Sequence, residues 1–121
     1  MAWKSLGVVS MQFILDKDVY KVARITGPEH NFLGIRLADA DQEIDVVPLP
    51  TKSGERHQID RDGVLAQVSQ GLLEANAELG KIYAISQILF VPSDTPSSSV
   101  YRYLTIELIK RIDGQGSFIV V

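Results

Sequence analysis

The chain contains no cysteine among its 121 residues. Disulfide bonds, zinc–thiolate sites and catalysis by a thiol nucleophile are therefore excluded. No apolar run approaches the roughly 18 residues that a membrane-spanning helix needs. The N-terminal apolar stretch is interrupted by Ser10 and Gln12 and ends at Asp16, so it does not match a secretory signal peptide. From these absences we expect a cytoplasmic protein that makes no contact with a membrane.

Motifs of the common catalytic classes are also missing. The sequence has no G-x-S-x-G elbow and no P-loop, dinucleotide fingerprint or H-E-x-x-H. His57 has acidic neighbours, but no second histidine stands at a ligand spacing from it. The segment Asp39–Asp45 carries acids at alternate positions, as a calcium loop does, yet Ile44 replaces the required glycine and Pro50 the bidentate acid. We therefore predict no metal site, no cofactor and no catalytic residue, and we favour a non-enzymatic protein.

The charge of the chain is modest and slightly negative, with 12 basic and 15 acidic residues and a formal net charge of −3. A mildly acidic surface repels phosphate backbones, so we predict no nucleic-acid binding. The alternative would require five dispersed basic residues to gather on one face of a sheet. They are Lys4, Lys17, Lys21, Arg24 and Arg36. Lys17 falls in a predicted turn, which argues against such a cluster.

The clearest pattern that is present is a helical period between Asp60 and Gly80. At about 100° per residue, the apolar positions share roughly a third of the helical circle. They are Val64, Leu65, Val68, Leu72, Ala75 and Leu79. Asp60 or Asp62 is suited to cap the first turn, and Gly80 to supply the left-handed residue that ends a helix. We therefore predict an amphipathic helix of about 17 residues.

Apolar alternation predicts four strands before this helix, arranged as a meander. They cover residues 9–15, 19–26, 33–37 and 43–49. Because proline cannot donate to a β-ladder, Pro48 places the fourth strand at an edge of the sheet or ends it there. Residues 81–91 have two apolar faces and are predicted to be a central strand. The apolar residues 117–121 are predicted to be a final strand.

The segment 98–112 fits two patterns. As a helix, it places Val100, Leu104 and Leu108 on one face; as a strand, it places Arg102 and Lys110 on the apolar face. The misplaced charges favour the helix. The complete prediction is a single α+β domain over residues 1–121. Its sheet is mostly antiparallel, with the N-terminal four-strand meander and two C-terminal strands, and two helices pack on one face.

Five residues are candidates for binding. His30 lies beside an acid in a turn, where it is either a general base or a solvated side chain. Asp41 and Glu43 belong to an acidic stripe that either binds a partner or is simply solvated. On a helix, Tyr101 would join the core while Tyr103 would point away from it and be available for a contact surface.

Two functional hypotheses follow from these patterns. The favoured one is a small binding protein whose partner is another protein or a second copy of the chain, because a small domain with an acidic stripe and edge strands offers surfaces rather than catalytic groups. The alternative is a small-molecule-binding protein or an enzyme. It would have a pocket between sheet and helices, into which His30, Tyr101 or Asp94 would project.

Overall fold

A mixed six-stranded sheet supports two α-helices in the computed structural model, which describes residues 10–121. The strands are β1 (Ser10–Asp16), β2 (Val19–Ile25), β3 (His30–Ala38), β4 (Asp45–Pro48), β5 (Ala84–Phe90) and β6 (Ile119–Val120), and the helices are α1 (Arg61–Leu79) and α2 (Val100–Asp113). The predicted α+β class is therefore confirmed. Val9, the first residue of the first predicted strand, lies outside the described residues.

The strand order is β4-β5-β3-β2-β1-β6. The first three strands form antiparallel hairpins, as predicted, and β5 is an interior strand antiparallel to β3. The predicted four-strand meander is wrong at its fourth member, because β4 pairs with β5 rather than β3, and in parallel. A parallel pair requires a crossover connection, which α1 supplies between the two strands. As Pro48 predicts, β4 is an edge strand.

The first helix begins and ends where its capping residues predict. The Asp60 side chain accepts a hydrogen bond from the Gly63 N–H at 3.3 Å, and Gly80 has a φ of 66°. Val68 and Ala75 are fully buried, while Leu72 is only partly buried. The predicted stripe therefore does face the core, although its leucines lie at the margin of the helix–sheet contact.

The second helix confirms the helical prediction for residues 98–112. Its inner face is fully buried through Leu104, Leu108 and Ile109, together with Tyr101. Its outer face carries Arg102, which forms an ion pair with a residue of α1. The charges that a strand would have placed against the core therefore point away from it.

The two faces of the sheet have different environments, because successive side chains of a strand point in opposite directions. The face beneath the helices contains fully buried residues such as Val22, Leu33, Ile35 and Ile88. The opposite face is covered by neither helix; we call it the helix-free face. Its apolar members include Ile14, Val19, Ala23, Ile25, Phe32, Val47 and Leu89.

Candidate functional site

An open groove of about 740 Å³ lies between the C-terminal half of α1 and two connecting segments of the chain. We call it the Ile82 groove; its principal lining residues are Asp39, Asp41, Ile44, Leu72, Leu73 and Ile82. A second concavity of about 470 Å³ lies beside the first and shares Asp39 and Ile82 with it. Ile82 therefore forms a ridge between two hollows in the surface.

The position of Ile82 is determined by its two neighbours. The hydroxyl of Tyr83 donates a hydrogen bond to Asp113 Oδ1 at 2.8 Å, and Lys81 Nζ lies 3.0 Å from the same oxygen. The side chains of Lys81 and Tyr83, the two neighbours of Ile82 in the sequence, are therefore both held against Asp113. The side chain of Ile82 takes no part in these contacts and is 96% exposed.

A side chain of α1 also holds this segment in place. Asn76 donates from Nδ2 to the Tyr83 carbonyl at 2.9 Å and accepts from the Tyr83 N–H at 3.0 Å. The Lys81 N–H donates to the Asn76 carbonyl at 3.0 Å. The segment that carries Ile82 is thus fastened to the end of the helix by backbone groups as well as by side chains.

Asp113, Lys81 and Tyr83 shift one another's pKa values. The ion pair with Lys81 and the hydrogen bond from Tyr83 lower the pKa of Asp113. The same contacts raise the pKa of Lys81 and of the Tyr83 hydroxyl. The ammonium of Lys81 is consequently committed to Asp113, although Lys81 also lines the groove.

The Ile82 groove combines apolar and acidic surface. Leu73 is 66% exposed on its α1 wall, facing the hollow that Ile82 borders. Asp39 and Asp41 are exposed on the opposite segment, and within residues 10–121 neither takes part in an ion pair. Large exposed apolar side chains next to unneutralised acids are typical of a contact surface rather than of a folding core.

The structure places the five predicted binding residues in three different regions. Asp41 lines the Ile82 groove, whereas Glu43, on the same segment, is exposed but is not among the lining residues. Tyr103 is exposed on α2, where its hydroxyl lies 3.8 Å from the Met11 sulfur. It lines a separate, more polar concavity of about 540 Å³. The acidic stripe and the exposed tyrosine therefore do not form one site.

His30 and Tyr101 belong to a polar cluster around Asp94, the third residue that the pocket hypothesis names. Asp94 is only 2% exposed; its Oδ2 accepts from the Phe32 N–H at 2.7 Å, and its Oδ1 lies 3.5 Å from His30 Nε2. Asn31 donates from Nδ2 to the Tyr101 hydroxyl at 3.2 Å. The structure therefore brings together the three residues that the pocket hypothesis names.

Their environment, however, is that of a packed core. Burial raises the pKa of Asp94, and it raises the pKa of Tyr101 to about 12. The space between sheet and helices near Tyr101 is filled by side chains of 0–2% exposure, such as Leu33, Phe90 and Leu104. The cluster ties the segment after β5 to β3, and the His30 side chain points into solvent at 66% exposure.

The remaining residues that the sequence analysis considered for chemistry lie apart from one another in the described part of the chain. His57 lies in an exposed loop, where its Nε2 is 2.8 Å from the Thr51 hydroxyl. No group of three or more metal-ligating side chains occurs among residues 10–121. Lys21 and Arg36 share the helix-free face, but each is paired with an aspartate, and Arg24 lies on the other face. Lys4 lies outside the described residues.

Neither described helix is long and apolar enough to cross a bilayer. Comparisons with protein-family models, curated proteins and solved structures found no significant match for the chain.

The sequence reasoning missed Ile82 and Leu73. The predicted central strand over residues 81–91 includes Ile82, but β5 begins only at Ala84. The sequence does contain a signal for Leu73. This residue is apolar but lies outside the apolar stripe of α1, which indicates an exposed apolar side chain.

Proposed function

We propose that this chain is a non-enzymatic binding protein and that its Ile82 groove binds a segment of another protein. The segment would present apolar side chains to Ile82 and Leu73 and positive charge to Asp39 and Asp41. The observation that supports this proposal most directly is the 96% exposure of Ile82 on a fixed segment bordered by two hollows.

The apolar surface provides the driving force for association. Removing a fully exposed isoleucine or leucine side chain from water contributes roughly 1.5–3 kcal/mol. Ile82 and Leu73 contribute nothing comparable to folding, because most of their surface is exposed in the folded chain. Binding energy in protein interfaces concentrates in a few side chains that become fully desolvated in well-packed pockets.

The acidic side of the groove selects the partner. Lys81 is paired with Asp113, so the groove keeps the negative charge of Asp39 and Asp41. A basic segment would be attracted to it, and an acidic one would be repelled. Because both aspartates are exposed, the attraction weakens as salt screens it.

A selection of short random peptides on the immobilised full chain tests the proposal. The enriched peptides are expected to place lysine or arginine next to leucine, isoleucine or phenylalanine. Ile82→Ser should weaken their binding about tenfold or more, since one buried side chain is lost, and Asp39→Asn with Asp41→Asn should reduce the salt dependence.

The matched control is Ile25→Ser, which changes another exposed isoleucine on the helix-free face. It should leave peptide affinity unchanged. The proposal is wrong if selection enriches no peptides, or if the enriched peptides bind the Ile82→Ser variant as tightly as the original chain.

A further inference from the structure

We propose that the helix-free face of the sheet binds a second copy of this chain, so that two sheets pack face to face in a two-fold dimer. This surface lies away from the Ile82 groove, and the inference does not depend on the function proposed for that groove.

The first argument is the distribution of apolar residues across the strands. The register places Val47, Leu89, Gly34, Lys21 and Ile14 side by side on neighbouring strands. Four of these five positions are apolar or glycine. The next row of the same face contains Phe32, Ala23 and Gln12. The row on the other side of the band is mostly polar and contains Asp45, Gln87, Arg36, Val19 and Asp16. An apolar band therefore crosses the sheet on the side that neither helix covers.

The band continues to the edge strand β6. Phe118 packs against Phe13 and Tyr20 on the helix side, with ring centroids 6.2 and 5.3 Å apart. Ile119, the next residue, therefore points to the helix-free face beside Ile14, where it is 58% exposed.

Most charges of this face are neutralised within one chain; the exception is Asp45 on the edge strand β4, which accepts a hydrogen bond from Gln87 but takes part in no ion pair among residues 10–121. Lys21 Nζ lies 3.0 Å from the Asp16 carboxylate, and Arg36 forms an ion pair with Asp18. On the interior strands a second copy would therefore meet paired charges and would not need complementary ones. The Ile82 groove differs, because its aspartates would face each other across a two-fold axis and repel. Charge thus favours a second copy on the sheet and a basic partner in the groove.

The size of the face is close to what a dimer requires. The interior strands β1, β2, β3 and β5 are 7, 7, 9 and 7 residues long. With strands about 4.8 Å apart and about 3.3 Å per residue, the six strands cover a flat footprint of roughly 500–600 Å². Side chains make the accessible area larger than the footprint, and a stable interface buries about 800 Å² per partner. Two sheets packed about 10 Å apart is a common arrangement.

Light scattering on the full chain over a range of concentrations provides the test. The original chain is expected to reach twice its monomer mass of 13.4 kDa. Ile25→Glu places an unpaired carboxylate in each half of the interface and should weaken the dimer roughly a hundredfold or more. Ile82→Glu, which adds the same charge in the groove, should leave the dimer intact.

Chemical labelling tests the same interface independently of the Ile25→Glu variant. Because the chain has no cysteine, Ala23→Cys introduces one thiol in the centre of the helix-free face and Ala77→Cys one in the groove wall. A maleimide on the first thiol should prevent dimer formation, and one on the second should not. A chain that stays monomeric at its highest soluble concentration overturns the proposal. So does a dimer that resists both Ile25→Glu and the label at position 23, because its interface must then lie elsewhere.

Discussion

Glu74 of α1 and Arg102 of α2 form a bidentate ion pair that connects the two helices. Arg102 Nε lies 2.5 Å from Glu74 Oε2, and Arg102 Nη2 lies 2.7 Å from Glu74 Oε1. One turn before Glu74, Gly71 lies against the backbone of Arg102. A methyl group added at Gly71 would be 2.5 Å from the Arg102 carbonyl oxygen. The ion pair and the glycine therefore belong to one point of close helix approach.

We predict that Gly71→Ala destabilises the protein, because the added methyl group must push α2 away. Overpacking of this kind costs about 1–3 kcal/mol, and it outweighs the gain of up to about 1 kcal/mol that alanine brings to a helix interior. Gly63→Ala in the same helix is the control, since a methyl group there meets nothing within 4 Å. Urea denaturation should show loss of stability for the first variant and none for the second. Equal effects of the two substitutions would contradict the close approach.

The ion pair makes stability depend on pH in a defined direction. Hydrogen bonding to Arg102 lowers the pKa of Glu74 below its ordinary value of 4.5. The folded state therefore releases this proton more readily than the unfolded state does. The stabilisation is fully present above pH 4.5, and it is lost as the pH falls through the lower, folded-state pKa.

We accordingly expect Glu74→Gln to be less stable than the original chain at neutral pH. The difference should shrink once the pH falls below the ordinary pKa of glutamate. Denaturation midpoints measured across the acidic range provide the readout. A gap between the two chains that widens on acidification would show that the Glu74 carboxylate is not stabilised by Arg102.

Two adjacent leucines of α1 both line the Ile82 groove but differ in how far they are buried in the core. Leu72 packs partly against the core, whereas Leu73 is 66% exposed. We predict that Leu72→Ala destabilises the fold by about 1–3 kcal/mol, less than the 2–5 kcal/mol typical of fully buried leucines. Leu73→Ala should change the free energy of unfolding by less than about 0.5 kcal/mol while weakening peptide binding in the groove. Thermal and chemical unfolding of both variants check the order, and a larger loss for Leu73→Ala would reverse the assignment of the two faces.

Local signals in the sequence predicted local structure well. Asp60 and Gly80 mark the ends of α1 because capping depends on a few adjacent backbone groups. Pro48 marks β4 as an edge strand because its missing N–H prevents pairing on one side. The charges of Arg102 and Lys110 separated helix from strand in α2. Each of these predictions needed only the residues within the element.

Long-range relationships could not be predicted in the same way. The parallel pairing of β4 with β5 depends on how α1 crosses the sheet, and strand periodicity contains no information on which strand becomes a neighbour. Gly71 is important only because Arg102 approaches it from another helix. The candidate site was predicted in part: Asp41 was identified from its acidic stripe, but Ile82 was not, because its apolar character suggested burial.

The two hydrogen bonds between the Asn76 side chain and the Tyr83 backbone have a consequence for association. They fix the backbone of the segment that carries Ile82. The conformational entropy of this segment is therefore lost when the protein folds, and not when a ligand binds. A partner bound in the proposed way would therefore meet a rigid surface that needs little rearrangement. Affinity differences among partners should then arise mainly from how long each complex lasts, rather than from how quickly it forms.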